Sequence, residues 1–176
     1  SKVAPPPAIK PDPAPATSTA PGRHYWKIAP GQNAFQWDKW REESYIGIGW
    51  NLLGDVKGLD KPAFDIRVAD AAKLDSSYKA AGCEMVWKFY NEMQPGDMVL
   101  ANEGQSKVLG YGIVRDECWF AEGEELSHRR RVEWFSTDAL VVAKEPAWLS
   151  TLIKLDKAKF DQMTNGDIVP PIELTK

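Results

Sequence analysis

Two aromatic side chains stand where packing periodicity gives no reason for them. Trp50 closes the short run Tyr45-Ile46-Gly47-Ile48-Gly49 and directly precedes Asn51. Trp119, with Phe120, interrupts an otherwise polar stretch from Asp116 to Ser127. Flat aromatic faces at the ends of separate elements can converge to form a pocket wall. Such a wall suits a planar ligand, either a nucleobase held by stacking or a methylammonium held by cation–π attraction. The plain alternative is that Trp119 and Phe120 cap the core under a loop. The chain has eight Trp. Trp37, Trp40, Trp87, Trp134 and Trp148 read most simply as core residues.

A basic run adjoins the aromatic pair. His128-Arg129-Arg130-Arg131 follows the polar stretch at once, and Arg131 begins an alternating strand, so Arg129 and Arg131 should point one way and Arg130 the other. Arg115 and Lys107 flank the neighbouring hairpin. A charge run alone is usually a solvated face. Beside Trp119 it could hold phosphates while a base enters the aromatic pocket.

Catalytic and metal-binding patterns are missing. There is no GxxxxGK[ST] loop, and Gly47-Ile48-Gly49 lacks the third glycine and following helix of a dinucleotide site. His24 and His128 have no ligand partner at i+3 or i+4, and Cys83 and Cys118 lie far apart, so no metal site is expected. Neither histidine adjoins a nucleophile elbow. The acidic residues Glu122, Glu124 and Glu125 read as a solvated loop. The residues point to a binding module rather than an enzyme, with no cofactor.

Composition sets the frame for these residues. The chain has 176 residues, 43% hydrophobic and 27% charged, with 22 Lys+Arg against 25 Asp+Glu and a net charge of −3. That balance excludes a bulk polycation gripping nucleic acid by charge alone, but not a local basic face. No apolar run is long enough for a membrane helix, and the start gives no sign of a signal-peptide core. Two cysteines without CxxC spacing read as free thiols in a reducing, cytoplasmic setting. Of 13 prolines, Pro5, Pro6, Pro7, Pro11, Pro13, Pro15 and Pro21 lie in the first 22 residues. With Ala, Thr and Ser between them, residues 1–22 are expected to be a disordered, extended linker, and the chain to be a module of a larger protein. Residues 23–176 are the expected domain, large enough to bury a core.

The elements that must position the aromatic and basic residues follow from pattern. His24–Ala29 alternates as a strand, ended by Pro30-Gly31. Asn33 reads as the N-cap of a helix running to about Glu43. Tyr45–Trp50 is a short strand, and residues 62–78 hold one short helix. Cys83–Met93 is an amphipathic helix. Met98–Ala101 and Val108–Val114 form a hairpin across Glu103-Gly104-Gln105-Ser106. Asp116–Ser127 is a loop and Arg131–Phe135 a half-buried strand. A terminal helix spans about Ala147–Met163, closed by Asn165-Gly166 and Pro170-Pro171. Glycines within strands suggest strong curvature. The expected class is α/β (α+β), a curved mixed sheet or open small barrel with flanking helices.

In this order the motifs resemble a known family. Tyr25-Trp26-Lys27-Ile28-Ala29-Pro30-Gly31 and Ile46-Gly47-Ile48-Gly49-Trp50-Asn51 with Leu53-Gly54-Asp55 are similar to EVE-type domains of the PUA/YTH-like superfamily. Gly96–Ala101, Val108–Val114 and His128–Trp134 agree with that pattern. The set most resembles modules attached to McrB-like AAA+ GTPases of modification-dependent restriction systems. The resemblance implies a pocket for a flipped, modified base. It places Trp50 at the first aromatic cage position and Trp119 or Phe120 at the second. Asn33 falls where a polar side chain hydrogen-bonds the base edge, and Asn51 with nearby backbone could read the rest. Arg129, Arg130, Arg115, Lys107 and His128 are the expected contacts to the nucleic-acid backbone. The expected function is reading modified DNA, N6-methyladenine first and 5-methyl- or 5-hydroxymethylcytosine next, or else methylated RNA. The implied partners are a AAA+ GTPase domain in the same chain and a McrC-like nuclease. A pocket for a methylated side chain or peptide is the rival expectation.

Overall fold

The computed structural model describes residues 22–164. The expected linker, Gly22 apart, and the closing pairs Asn165-Gly166 and Pro170-Pro171 lie outside the described residues. In chain order the elements are β1 (Tyr25–Ile28), α1 (Trp37–Glu43), β2 (Tyr45–Ile48), α2 (Lys61–Leu74), α3 (Ala80–Asn91), β3 (Met98–Glu103), β4 (Lys107–Phe120), β5 (His128–Ser136), β6 (Leu140–Val141), β7 (Leu152–Leu155) and α4 (Lys157–Thr164). The strands make one mixed seven-stranded sheet in the order β2-β5-β4-β3-β1-β7, with β6 added to β4. β1 and β3 run parallel and the other pairs antiparallel. The curved mixed sheet with flanking helices expected from sequence is the architecture observed. Among the described residues, no helix is long and apolar enough to cross a membrane.

β1 is buried along its whole length because β3 and β7 flank it and side chains cover both faces. Trp26 and Ile28 enter the main core with Trp40, Ile46, Phe64, Val86 and Phe89. Tyr25 joins a second core with Leu100, Ile113, Trp148 and Phe160. The buried Asp97 carboxylate ties β1 to the turn before β3, accepting from the His24 backbone N–H at 3.0 Å, Trp26 Nε1 at 2.9 Å and the Gln94 N–H at 2.9 Å.

The sheet coils strongly. Register sets Ile28 level with Ala101 and Gly110, and Ile48 level with His128 and Phe120. On a flat sheet the stretch of β4 from Gly110 to Phe120 would separate these corners by roughly 33 Å. Yet Ala29 and Trp50, which follow the two corners, line one cavity. Bulges between Tyr111 and Gly112 and between Val114 and Cys118 supply the bend. Gly112 permits it, since a Cβ there would stand 2.2 Å from the Glu133 carbonyl oxygen.

Several boundaries differ from the sequence pattern. Asn33 is no N-cap: it lies in a 3-10 turn, Gln32–Ala34, with φ 57°, and α1 starts only at Trp37. Asn tolerates this left-handed conformation better than most residues. α2 runs for 14 residues because Asp60 caps it through the Ala63 N–H and Pro62 fits its first turn. Its weak pattern reflects exposed Ile66 and Leu74. β4 continues to Phe120, so Trp119 and Phe120 sit on a strand and the connecting loop is residues 121–127. The expected terminal helix breaks into a 3-10 turn (Pro146–Leu149), β7 and α4. Pairing of Leu152–Leu155 with β1 overrides helical propensity there.

Candidate functional site

The cavity where the coiled sheet brings its corners together has a volume of about 410 Å³. Ala29, Gly31 and Gln32 reach it from the end of β1, and Gly49 and Trp50 from the end of β2. Leu126 enters from the loop before β5, and Leu149 and Thr151 from the segment before β7. Its walls are mainly apolar, and the Gln32 amide and Thr151 hydroxyl are polar side-chain groups among the lining residues.

Backbone strain concentrates here. Among the described residues, five non-glycine residues have positive φ; Ser44 among them ends α1. The others flank the cavity: Asn33 (57°), Ala34 (55°), Trp50 (62°) and Leu126 (47°). A left-handed bulky residue costs on the order of 1–3 kcal/mol and persists only where its surroundings hold it. Trp50 is held from several sides. Its carbonyl accepts from the Leu53 N–H at 3.1 Å and from His128 Nε2 at 3.2 Å. Its indole lies against α3 at Gly82, where a Cβ would stand 3.0 Å from Cζ2. Asn51 staples the 121–127 loop: its Oδ1 accepts from the Ser127 N–H (3.1 Å) and Oγ (2.6 Å), and its Nδ2 donates to the Glu124 carbonyl at 3.1 Å.

The basic run is tied into the protein, with His128 holding the Trp50 wall of the cavity and Arg129 the Leu126 wall. His128 is fully buried, and burial lowers its pKa to about 4, so the ring is neutral. With Nε2–H on the Trp50 carbonyl, its Nδ1 accepts from the Tyr90 hydroxyl at 3.0 Å. Arg129 lies over the Tyr45 ring and binds the Leu126 and Glu125 carbonyls and the Glu124 carboxylate. Arg130 points to the opposite face and donates to the Phe89 and Met93 carbonyls at 3.0 and 2.8 Å, at the end of α3. Arg131 lies over Trp119 and reaches the Glu43 and Ser44 carbonyls. The alternation expected for Arg129, Arg130 and Arg131 is what the structure has.

Residues 26–156 match the family described as "Domain of unknown function (DUF8426)". The chain belongs to the DUF8426 family. The matched span includes every residue lining the cavity. No curated protein matches this DUF8426 chain. Among solved structures, it overlaps "YTH domain-containing protein mmi1 and RNA complex" at 14% identity with a TM-score of 0.34. The overlap covers 73% of this chain and 63% of the length of that one.

The DUF8426 cavity contains some of the residues the sequence singled out and leaves out others. Trp50 lines it. Asn51 adjoins it but spends its amide on the loop. Asn33 is exposed, and its neighbours Gly31 and Gln32 line the wall in its place. Trp119 is not among the lining residues, because β4 turns its ring onto Tyr45 and Arg131, with the Tyr45 centroid 5.8 Å away. Phe120 packs on His128 at 5.1 Å and lines a neighbouring cavity of about 390 Å³ with Asn51, Leu52 and Glu122 to Glu125. The basic residues divide between the interior and the surface. His128, Arg129 and Arg130 are buried, because the end of α3 covers Arg130, the 121–127 loop covers Arg129, and Tyr90 and Phe120 cover His128. Arg115 pairs with Glu133, and Lys107 lies 3.6 Å from Glu103, both nearer the surface. Sequence reasoning missed Gln32, Leu126, Leu149 and Thr151. Leu126 alone carried a signal, as a single bulky aliphatic in an acidic loop. Cys83 and Cys118 are free thiols.

Proposed function

We propose that this domain is a non-catalytic reader of modified bases in DNA, taking a flipped base into the cavity against Trp50. N6-methyladenine is the favoured modification. Modified cytosines and methylated RNA are the nearest alternatives. The observation that carries the reading is Trp50, a strained aromatic held at a cavity of about 410 Å³. That volume lies in the usual range of small-molecule sites. Ala29, Leu126 and Leu149 offer apolar walls for a methyl group, and Gln32 can both donate to and accept from a base edge. The ordered motifs shared with EVE and YTH-like domains favour the same ligand class.

The energetics are consistent with modest discrimination. Flipping a base costs a few kcal/mol and stacking on an aromatic returns about 1–3 kcal/mol. A buried methyl adds on the order of 1 kcal/mol, so the preference for modified over plain DNA is about fivefold to tenfold. Lys107 and Arg115 remain the proposed phosphate contacts. In a larger protein such a domain would direct a AAA+ GTPase and a McrC-like nuclease to modified DNA.

Titration of labelled duplexes carrying one N6-methyladenine, 5-methylcytosine or 5-hydroxymethylcytosine, against plain duplex and methylated RNA, tests the proposal. Equal affinity for modified and plain nucleic acid sinks it. A second reading draws on Glu122, Glu124 and Glu125 beside Phe120. Carboxylates next to an aromatic ring suit a methylated lysine or arginine side chain. Under that reading a trimethyl-lysine peptide binds and modified duplexes do not.

A further inference from the structure

Leu149 is the most exposed large apolar side chain among the described residues, at 81%. It stands at the cavity, on the 3-10 turn Pro146–Leu149. Its exposure does not come from a slack loop. The preceding residue, Trp148, is buried in the second core. Lys27, fully buried on β1, donates from Nζ to the Trp148 carbonyl at 3.1 Å and also to the Ser150 carbonyl. One ammonium thus holds the backbone on both sides of Leu149. The Ala29 N–H donates to the Thr151 carbonyl at 3.0 Å, and the Glu145 N–H to the Gln105 carbonyl at 2.8 Å, so the segment is tied at both ends.

A buried lysine whose ammonium bonds backbone carbonyls is unusual in a core and is kept only where its donors are used. Here they present an aliphatic side chain to solvent beside a ring that can receive a base. Proteins that open a duplex insert apolar side chains into base steps, and those that flip a base must offset lost stacking. We infer that Leu149 is a wedge that enters the space a flipped base leaves in a duplex, with Lys27 holding it out. The inference rests on the reading of the Trp50 cavity as a base site, and it deepens that reading by naming duplex DNA as the substrate. A single strand has no stack to hold open.

The test compares wild type and Leu149→Ala on an N6-methyladenine duplex and on the same strand alone. The expected result is about a tenfold or greater loss on the duplex and a clearly smaller loss on the single strand, which meets Leu149 only as part of the cavity wall. Leu149→Met should restore duplex binding. Placing the modified base opposite an abasic site, which lowers the cost of flipping, should narrow the difference between Leu149→Ala and wild type. Equal loss on duplex and single strand makes Leu149 a cavity wall and overturns the wedge, as does no loss on either. Wild type without preference for the modified base overturns the base-site reading itself, before any variant is compared.

Discussion

His128 Nε2 sits 3.2 Å from the carbonyl oxygen of Trp50, joining the first residue of β5 to the strained residue after β2. This bond needs the proton on Nε2. The Tyr90 hydroxyl, 3.0 Å from Nδ1, selects that tautomer by donating to the other nitrogen. A neutral imidazole is therefore part of what keeps Trp50 at φ 62°.

Stability should fall on mild acidification. The folded His128 pKa, about 4, lies below the ordinary 6.5 because burial disfavours the charged ring. As pH drops, the unfolded chain takes up the proton first. The contribution is complete above pH 6.5 and is lost progressively between 6.5 and 4. Urea midpoints at pH 7 and at about pH 5, still above the ordinary carboxylate range, should show the loss. His128→Gln should flatten that dependence and lower stability at pH 7 by about 1–3 kcal/mol. An unchanged midpoint in wild type would mean that the ring is not buried neutral.

Trp50 can be displaced without being removed. Gly82 lies within α3, and an alanine there would gain up to about 1 kcal/mol of helix propensity. Its Cβ would also stand 3.0 Å from Trp50 Cζ2, so the indole must shift by a few tenths of an ångström. Gly82→Ala should keep or raise the melting temperature while weakening ligand binding. Trp50→Ala should abolish preference for the modified base and leave only weak, salt-sensitive binding. If Gly82→Ala binds ligand as wild type does, the position of the indole is not what the ligand reads.

The 121–127 loop should loosen when its staple is cut. Asn51→Ala removes an acceptor shared by Ser127 N–H and Oγ and a donor to Glu124. Because the site is partly open to water, the cost is about 1 kcal/mol. Amide hydrogen exchange should rise across residues 121–127 and not in α2. Leu126 moves with the loop, so ligand affinity should fall as well. Uniform exchange in wild type and variant would assign the staple no role.

How much is legible in the sequence follows from what each signal depends on. The β1, β3 and β5 strands, the hairpin turn at Gly104 and the α3 helix rest on local alternation or periodicity, and these agree with the structure within a few residues. Trp50 stands out because an aromatic after Gly-rich alternation has no periodic partner. The cavity is not legible as a set, because its walls meet only when the sheet coils and brings Ala29 to Trp50. Trp119 misleads because the bulge after Val114 hides the fact that β4 resumes and turns the ring onto Tyr45. Leu149 has no signal, since its exposure is set by Lys27, which lies far earlier in the chain. The arginines read as a solvated edge because charge alone says nothing of what packs on the faces of a strand, and here α3 covers Arg130 while the 121–127 loop covers Arg129.

That last point yields a test that separates structure from binding among the basic residues. Arg130 holds the Phe89 and Met93 carbonyls from a buried position. Arg130→Met leaves these acceptors without their donor and should cost about 2–3 kcal/mol, lowering the melting temperature by several degrees or more. Arg130→Lys should recover only part of this, because an ammonium has no counterpart of the Nε–H that reaches the Arg115 carbonyl while Nη1 bonds the Phe89 and Met93 carbonyls. Neither change should alter the salt dependence of nucleic-acid binding by the fraction that remains folded. Lys107→Ala and Arg115→Ala should do the opposite, sparing stability while reducing the slope of log K against log salt by about 0.9 for each phosphate no longer neutralised. If Arg130→Met binds with a reduced slope and an unchanged melting temperature, the guanidinium faces phosphate rather than α3, and the inward reading of the basic run is wrong.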